Sequence, residues 1–497
     1  MAAVDEEPIP LDQLASRAGG VRVAVVGGGI AGLVAALECA KVGLQVTLFE
    51  ASERLGGTCR TALLDGMAVD TGADCFAARG REPAALIESL GLTGQIVAPQ
   101  TGRRWLAGLA GHADAVPMPE DVVLGIPENM WSDECRTILG TGGTWRAYVD
   151  RLRPPLTIGH ERSLAALVRS RMGQKVLDRL VAPVTAGVFG VRPADVDVEI
   201  AAPGLNAALT RTGSLSGAVA TLRADRGDGP ATQSLSGGMG RLVDALASRL
   251  EEFGATVLPG VSVTAVERTG VATEWILHTD ADEFDASDEA APPHRFDAVI
   301  VATGERAARR LLDPVVPELS ADVSAAAEVE TVTLVLDAPA LGGAPRGAEI
   351  ITMPGSRPAA GALHLSAKWE WLARAAGVGR HVVRVSFGGT PPATAGLGDA
   401  DAVELARAEA SALFGVPLEQ TQVRAADRAR FTLAPPLAVT GRRAFATRVR
   451  SAVEAVPRLA ATGSWLAGSG LAQVIPDAQA TADRLRRRAL FGGGSPS

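Results

Sequence analysis

The sequence predicts an α/β fold in which a parallel-sheet unit carries two inserted regions, one mostly helical and one rich in strands. Three observations carry this. An apolar, valine-rich run at residues 21–26 is followed by glycines, a helical pattern and a second apolar run, which together make one β-α-β unit. Residues 83–217 read as mostly helical, whereas residues 331–387 alternate or run apolar in short pieces. Near the C-terminus a short apolar run, a glycine-punctuated turn and a long helical pattern repeat the grammar of the start.

Residues 21–26, broken only by Arg22, match a parallel strand buried on both faces. Residues 30–41 follow as a helix and 45–49 as a second strand. Helical patterns recur at 82–90, 162–172 and 175–180, with Pro and Gly between them. Residues 223–232 are polar and read as a surface linker. A helix is expected over 241–252, opened by the glycines of 236–240. Strands are expected at 256–258 and 262–267, an acidic loop at 279–289, and a buried strand at 298–302. Short strands at 332–336, 362–366 and 382–387 make the β-rich region, and 402–413 reads as a helix. Residues 459–462 form the last strand, and 472–490 the last helix. Residues 1–20 and 491–497 are expected to be disordered tails. No internal repeat is evident.

At 497 residues, and with roughly 100–200 residues per domain, two to four domains are expected. Hydrophobic residues make up 47% and charged residues 21%, enough for sizeable cores. A net charge of −8 argues against a nucleic-acid surface and leaves room for a local basic pocket. The four cysteines contain no C-x-x-C pair and read as small buried hydrophobes in a reducing cytoplasm. The six histidines show no metal spacing, so no metal is expected, and His364 sits on an apolar run as a core residue. Residues 1–20 lack the basic and apolar regions of a signal peptide. The apolar stretch 23–37 is interrupted by glycines and does not read as a membrane span. A soluble protein is expected, with peripheral membrane contact left open.

Gly27-Gly28-Gly29-Ile30-Ala31-Gly32 is a G-x-G-x-x-G placed between a strand and a helix, the context that gives this pattern meaning. Gly27 permits the tight turn, Gly29 lets main chain approach a diphosphate, and Gly32 lets helix and strand pack closely. The helix N-terminus offers free N–H groups to the phosphates. Glu50 ends the second strand, where a carboxylate accepts hydrogen bonds from ribose hydroxyls and repels a 2′-phosphate. The unit is therefore Rossmann-like.

Residues 50–61, with Glu50, Gly56-Gly57 and Thr61, resemble the E-x-x-x-x-x-G-G-x-x-x-[ST] extension of the FAD-dependent amine oxidase and desaturase superfamily. The resemblance implies FAD as cofactor and a glutathione-reductase-like cofactor domain. It places Ala51, Arg54, Gly57, Thr58 and Arg60 along the cofactor. Guanidinium suits phosphate through its directed fork. The turn holding Gly72, Ala73, Asp74 and Cys75 resembles the segment that passes the isoalloxazine ring. Gly463 and Ser464, with Ser469, Gly470 and Leu471, resemble the closing flavin motif, where a helix N-terminus meets the flavin pyrimidine end. Val263 is a further cofactor-binding position by the same resemblance.

Beyond these motifs, residues 181–190 running on to 201–203, 234–239, 365–369 with 384–388, and 463–470 resemble the bacterial oxygen-dependent protoporphyrinogen and coproporphyrinogen III oxidases. This likeness extends from Val21 to about Arg488. It implies an FAD-binding domain at 21–84, 218–304 and 440–490. It also implies a helical, membrane-touching domain at 85–217 and a substrate domain at 305–439. The implied substrate is a porphyrinogen and the implied oxidant is O2, with H2O2 as product. Gram-positive and actinobacterial members generally act on coproporphyrinogen III, and the Ala- and Arg-rich composition suits a high-GC actinobacterium, so the resemblance implies that substrate. Arg104 matches a position where family members present an Arg to a propionate, and Lys368 is a second substrate-binding candidate. No catalytic side chain is assigned, because the cofactor carries the redox step. Contact with a ferrochelatase, a monomer or homodimer, and a cytoplasmic location peripheral to the membrane are further implications. Residues 430–437 depart from the family's Pro-Gln-Tyr segment, and Ala472 stands where a proline is common. The alternatives are a protoporphyrinogen IX oxidase, an amine oxidase and a flavin-free binding module. A single tyrosine, Tyr148, speaks against an aromatic amine cage.

Overall fold

A computed structural model describes residues 11–78, 80–100, 102–153, 162–225, 230–270, 274–280, 294–319 and 327–491. Its centre is a five-stranded sheet in the order Thr256–Pro259, Gln45–Glu50, Arg22–Val26, Ala298–Val301, Leu459–Ala461. All neighbours in it run parallel. Strands from the beginning, middle and end of the chain thus share one sheet.

The apolar run of the first strand follows from its two covers. Val23 and Val25 face a core built with the helices Ile30–Ala40, Gly240–Glu252 and Leu471–Phe491. Ala24 and Val26 face a second core with Trp275, Leu277, Ala308, Val449 and Val453. That second core lies under the antiparallel strands Val263–Arg268, Trp275–Thr279 and His294–Phe296. Each fully buried Val or Leu contributes about 1.5–3 kcal/mol, which holds the two layers to the sheet.

A third core belongs to the helices Asp133–Tyr148, Leu164–Arg171, Ala182–Phe189, Leu205–Thr212 and Leu215–Ala224. Ser132, Ser163 and Ser214 each cap one of them through the side-chain oxygen. A seven-stranded sheet forms the remaining layer. Its order is Val423–Leu433, Ala327–Asp337, Arg380–Gly389, Gly361–His364, Glu349–Thr352, Arg104–Ala107, Val116–Pro117. The helix Asp399–Phe414 packs on one face of it.

Several elements differ from expectation. Leu11–Gly19 is a helix rather than part of a disordered tail; it packs against the last helix and accepts from the Gln45 side chain through the Gly19 carbonyl. Residues 85–217 are not uniformly helical. Ile96–Val97 pairs with Thr232–Leu235, and Arg104–Ala107 pairs in parallel with Glu349–Thr352. The latter carries Arg104 into the seven-stranded sheet. Residues 362–366 split into the end of a strand and the short helix Leu365–Lys368. The helix Leu215–Ala224 and the strand Thr232–Leu235 enter the expected linker from both sides. The last helix reaches Phe491. Most of the acidic loop and the tails at 1–10 and 492–497 lie outside the described residues. Among the described residues no helix is long and apolar enough to cross a membrane.

Candidate cofactor and active site

Three turns meet at one edge of the parallel sheet. Val26, Val301 and Ala461 are in register, so the residues that follow them emerge side by side. In open parallel sheets this edge, at the carboxyl ends of the strands, is where ligands bind.

At the first turn Gly27 has a φ of 109°, and a Cβ there would come within 2.9 Å of the Ala302 main chain. A Cβ on Gly32 would run into the Gly27 carbonyl oxygen. Gly29 is the contrast. It caps the helix Ile30–Ala40 with an ordinary φ of −70°, and nothing stands within 4 Å of where its Cβ would be. The glycine with no packing reason to be glycine thus faces open space at the helix N-terminus, where the first N–H groups of any helix lack an intrahelical acceptor.

Glu50 turns toward this bend. One carboxylate oxygen accepts from the Gly28 N–H at 2.7 Å, and the other from the Ser52 N–H at 2.9 Å and the Ser52 hydroxyl at 2.8 Å. The oxygen that accepts only from Gly28 keeps a lone pair for a sugar hydroxyl. The second glycine pair backs the first: Gly56 donates to the Gly28 carbonyl at 2.8 Å, and Gly57 and Thr58 are exposed beside it. Ala51 and Arg54 are exposed. At the third turn Gly463 has a φ of 123° and Gly470 of 115°, and Leu471 opens the last helix. Thr462 anchors that turn to the helix through Asp477 at 2.7 Å. Ser464, Ser469 and Gly470 are exposed, and Val263 is buried at the start of its strand.

The hairpin Thr61–Leu64 and Met67–Asp70 leads into the turn holding Gly72, Ala73, Asp74 and Cys75. This turn lies against the seven-stranded sheet. Thr331 donates to the Thr71 carbonyl at 2.8 Å, and Phe431 sits 3.0 Å from where a Gly72 Cβ would be. Asp427, Thr333 and Arg384 stand in register across three strands of that sheet. Thr71 Oγ1, Arg60 Nε, Arg384 Nε, Thr333 Oγ1 and Asp427 Oδ2 are all buried without a hydrogen-bond partner. Each such atom costs about 1–3 kcal/mol, so a cluster of them fits a surface built to meet polar ligand atoms.

Other groups already have partners. Arg60 pairs with Asp427 at 3.3 Å, which draws its guanidinium to the sheet. Arg104 pairs with Glu349 at 3.0 Å and keeps 35% of its side chain exposed. Lys368, 16% exposed, binds Asp74 at 2.6 Å instead of standing free at a rim. Burial pushes the Asp74 carboxyl up, but the Arg384 and Lys368 charges outweigh it and hold it well below the usual range. Asp70 goes the other way. Burial lifts it to about 6, against bonds from Thr61 at 2.6 Å and the Met239 N–H at 3.0 Å. Chiefly through burial, and then through Asp74, the Cys75 thiol is raised to about 11 and stays protonated. His364 is buried, 3.2 Å from His381, in the body of the sheet. Asp70 and Arg384 fall in resembling segments without a site role, and Asp427 and Glu349 in none, because most of the partners of these four lie far away along the chain.

The family model for flavin-containing amine oxidoreductases matches residues 30–485. The chain belongs to that family. As a flavin-containing amine oxidoreductase it takes FAD, and the open Gly29 cradle, the inward Glu50 and the unpartnered polar face fit that cofactor. A coproporphyrinogen III oxidase of Mycobacterium tuberculosis is 30% identical over 455 residues, covering 90% of this chain and 93% of that protein. One from Propionibacterium freudenreichii subsp. freudenreichii is 30% identical over 326 residues, covering 59% of each. The solved structure of a candidate protoporphyrinogen oxidase from Exiguobacterium sp. 255-15 superimposes with a TM-score of 0.79 at 24% identity. It covers 94% of this chain and 98% of that one, and shows the shared fold. Stretches far apart in sequence thus build one edge of the parallel sheet.

Proposed function

We propose that this enzyme oxidises coproporphyrinogen III to coproporphyrin III, with O2 as acceptor and H2O2 as product, in heme biosynthesis. The observation that carries this reading is the near-full-length match to a mycobacterial coproporphyrinogen III oxidase. FAD, when bound, supplies the hydride-accepting chemistry. The glycine bend and Glu50 hold its ADP half. The turn at Gly72 to Cys75, and the amides at Gly470 and Leu471, front its ring end. Arg104, half-exposed, offers a charged fork to a substrate carboxylate once Glu349 yields, and Lys368 lends positive potential nearby.

The division into a cofactor unit, a helical unit and a substrate unit is part of this proposal. So are a cytoplasmic location, peripheral membrane contact, contact with a ferrochelatase, and a monomer or homodimer. The surface cluster of Trp131, Trp145 and Tyr148, beside Leu152 at 77% exposure, supports the membrane contact.

Turnover of the FAD-loaded enzyme on coproporphyrinogen III, protoporphyrinogen IX and a panel of amines tests the reading, with peroxide and porphyrin fluorescence as signals. The expected order puts coproporphyrinogen III first in kcat/KM. Preference for protoporphyrinogen IX, or peroxide release from an amine alone, overturns it.

A further inference from the structure

Asp74 was assigned to the cofactor by position in its motif, yet each of its side-chain partners comes from the strand Arg380–Gly389 or the end of the helix Leu365–Lys368, in the region proposed to bind substrate. Its Oδ2 accepts from Lys368 Nζ at 2.6 Å and from Trp369 Nε1 at 3.0 Å, and its Oδ1 accepts from Arg384 Nη2 at 2.8 Å. Those donors lie 294, 295 and 310 residues along the chain. Arg384 also donates to the main-chain carbonyls of Asp70, at 3.2 Å, and Gly72. Thr331 holds the carbonyl of Thr71. From behind, Ser234 donates to the Asp74 carbonyl at 2.7 Å.

A carboxylate offers about four lone-pair sites, and three are taken here by groups of one neighbouring layer. Asp74, Trp369 and Arg384 are all buried, so these charge-assisted bonds are shielded from water. Nothing in this arrangement points at the glycine bend. The turn that resembles a flavin-facing segment is fastened at its middle to the sheet that resembles the substrate wall.

We infer that Asp74 is a positioning residue: a latch that sets the distance between the cofactor's ring seat and the substrate sheet. The inference rests on the porphyrinogen oxidase reading for its kinetic arm only. A displacement of about 1 Å between reacting groups can cost on the order of 100-fold in rate, so a latch of this kind acts on kcat. Lys368 gains a definite place by the same contact. Its ammonium is held against Asp74, over the Trp369 ring at 5.0 Å.

The test compares Asp74→Asn with Trp369→Phe in the full-length protein. The amide keeps the carboxylate's shape but loses its charge and one acceptor. The phenyl ring keeps its place in the core but loses one donor. Three readings are taken: the Kd of the apo-protein for FAD, the Trp369 indole N–H resonance, and kcat with KM on coproporphyrinogen III. The resonance is identified by its disappearance in Trp369→Phe.

For Asp74→Asn the expected result is a shifted indole resonance, FAD affinity within a factor of about three, and kcat down by about tenfold or more with KM little changed. Trp369→Phe should show a smaller fall in kcat, also at constant FAD affinity. A loss of FAD affinity matching the loss of kcat would make Asp74 a cofactor ligand and overturn the inference. So would an unmoved resonance with an unchanged kcat. Should Asp74→Asn not fold, Trp369→Phe alone decides, and unchanged kcat there overturns the latch. If the wild type does not turn over coproporphyrinogen III, the proposed function fails, while the resonance and FAD affinity still judge Asp74.

Discussion

Replacing Gly29 by Ala separates folding from cofactor binding within one residue. A Cβ at Gly29 meets nothing within 4 Å, and its φ of −70° suits any residue. Two small terms bear on stability. Reduced freedom of the unfolded chain stabilises by about 0.4–1 kcal/mol. Alanine is a poorer N-cap than glycine by a comparable amount. The sum lies within about 1 kcal/mol of zero, which moves Tm by no more than about 2–4 °C. The new methyl group, however, stands where the proposed site brings a diphosphate to the leading amides of Ile30–Ala40. Losing two charge-assisted bonds at about 1.5–3 kcal/mol each weakens FAD binding by on the order of 100-fold or more. Thermal unfolding of the apo-protein and titration of FAD measure the two effects separately. Gly32→Ala supplies the contrast, because its methyl group collides with the Gly27 carbonyl and destabilises the apo-protein itself. A Gly29→Ala protein that binds FAD as tightly as the wild type would refute the reasoning.

Glu50→Ala should raise the Kd for FAD by about 10–150-fold, since a charge-assisted bond to the sugar is worth about 1.5–3 kcal/mol. Calorimetric titration checks this, and an unchanged Kd would mean that the carboxylate serves only Gly28 and Ser52. Arg104→Ala should raise KM for coproporphyrinogen III several-fold while leaving flavin content unchanged, as read from steady-state kinetics and the flavin spectrum. His364 makes the protein sensitive to acid. Burial, and then His381, lower its pKa from 6.5 to about 4. The unfolded chain takes up a proton near pH 6.5 that the native protein refuses until about pH 4, so stability falls as pH drops through that window. Relative to pH 7, His364→Gln should therefore lose less stability at pH 5 than the wild type, by up to about 2 kcal/mol in denaturant titrations. Asp70, raised to about 6, acts alike in both proteins and cancels from the comparison.

Local chemistry made the glycine bend legible in the sequence. Gly27, Gly29, Gly32 and Glu50 lie within one β-α-β unit, where spacing along the chain translates directly into position. The closing turn at Gly463 was readable for the same reason. Long-range pairing was not readable. Arg60 was placed along the cofactor by the family resemblance, but its partner Asp427 is 367 residues away. Lys368 looked like a free cation until Asp74 came within 2.6 Å across 294 residues. Arg104 lies in a stretch dominated by helical patterns, and only its parallel pairing with Glu349–Thr352 makes it a strand residue. The helix Leu11–Gly19 escaped notice because its acidic and polar surroundings mimic a tail, while its stabilising contact is with the last helix.

The central claim is that the ADP half of FAD is what the glycine bend and Glu50 hold. Calorimetric titration of the apo-protein with FAD and, separately, with FMN tests it most directly, because FMN carries the same ring system and one phosphate but lacks the adenosine and the second phosphate. Tight, saturable binding of FAD with binding of FMN weaker by at least about 100-fold is the expected result. Equal affinity for the two would contradict the account.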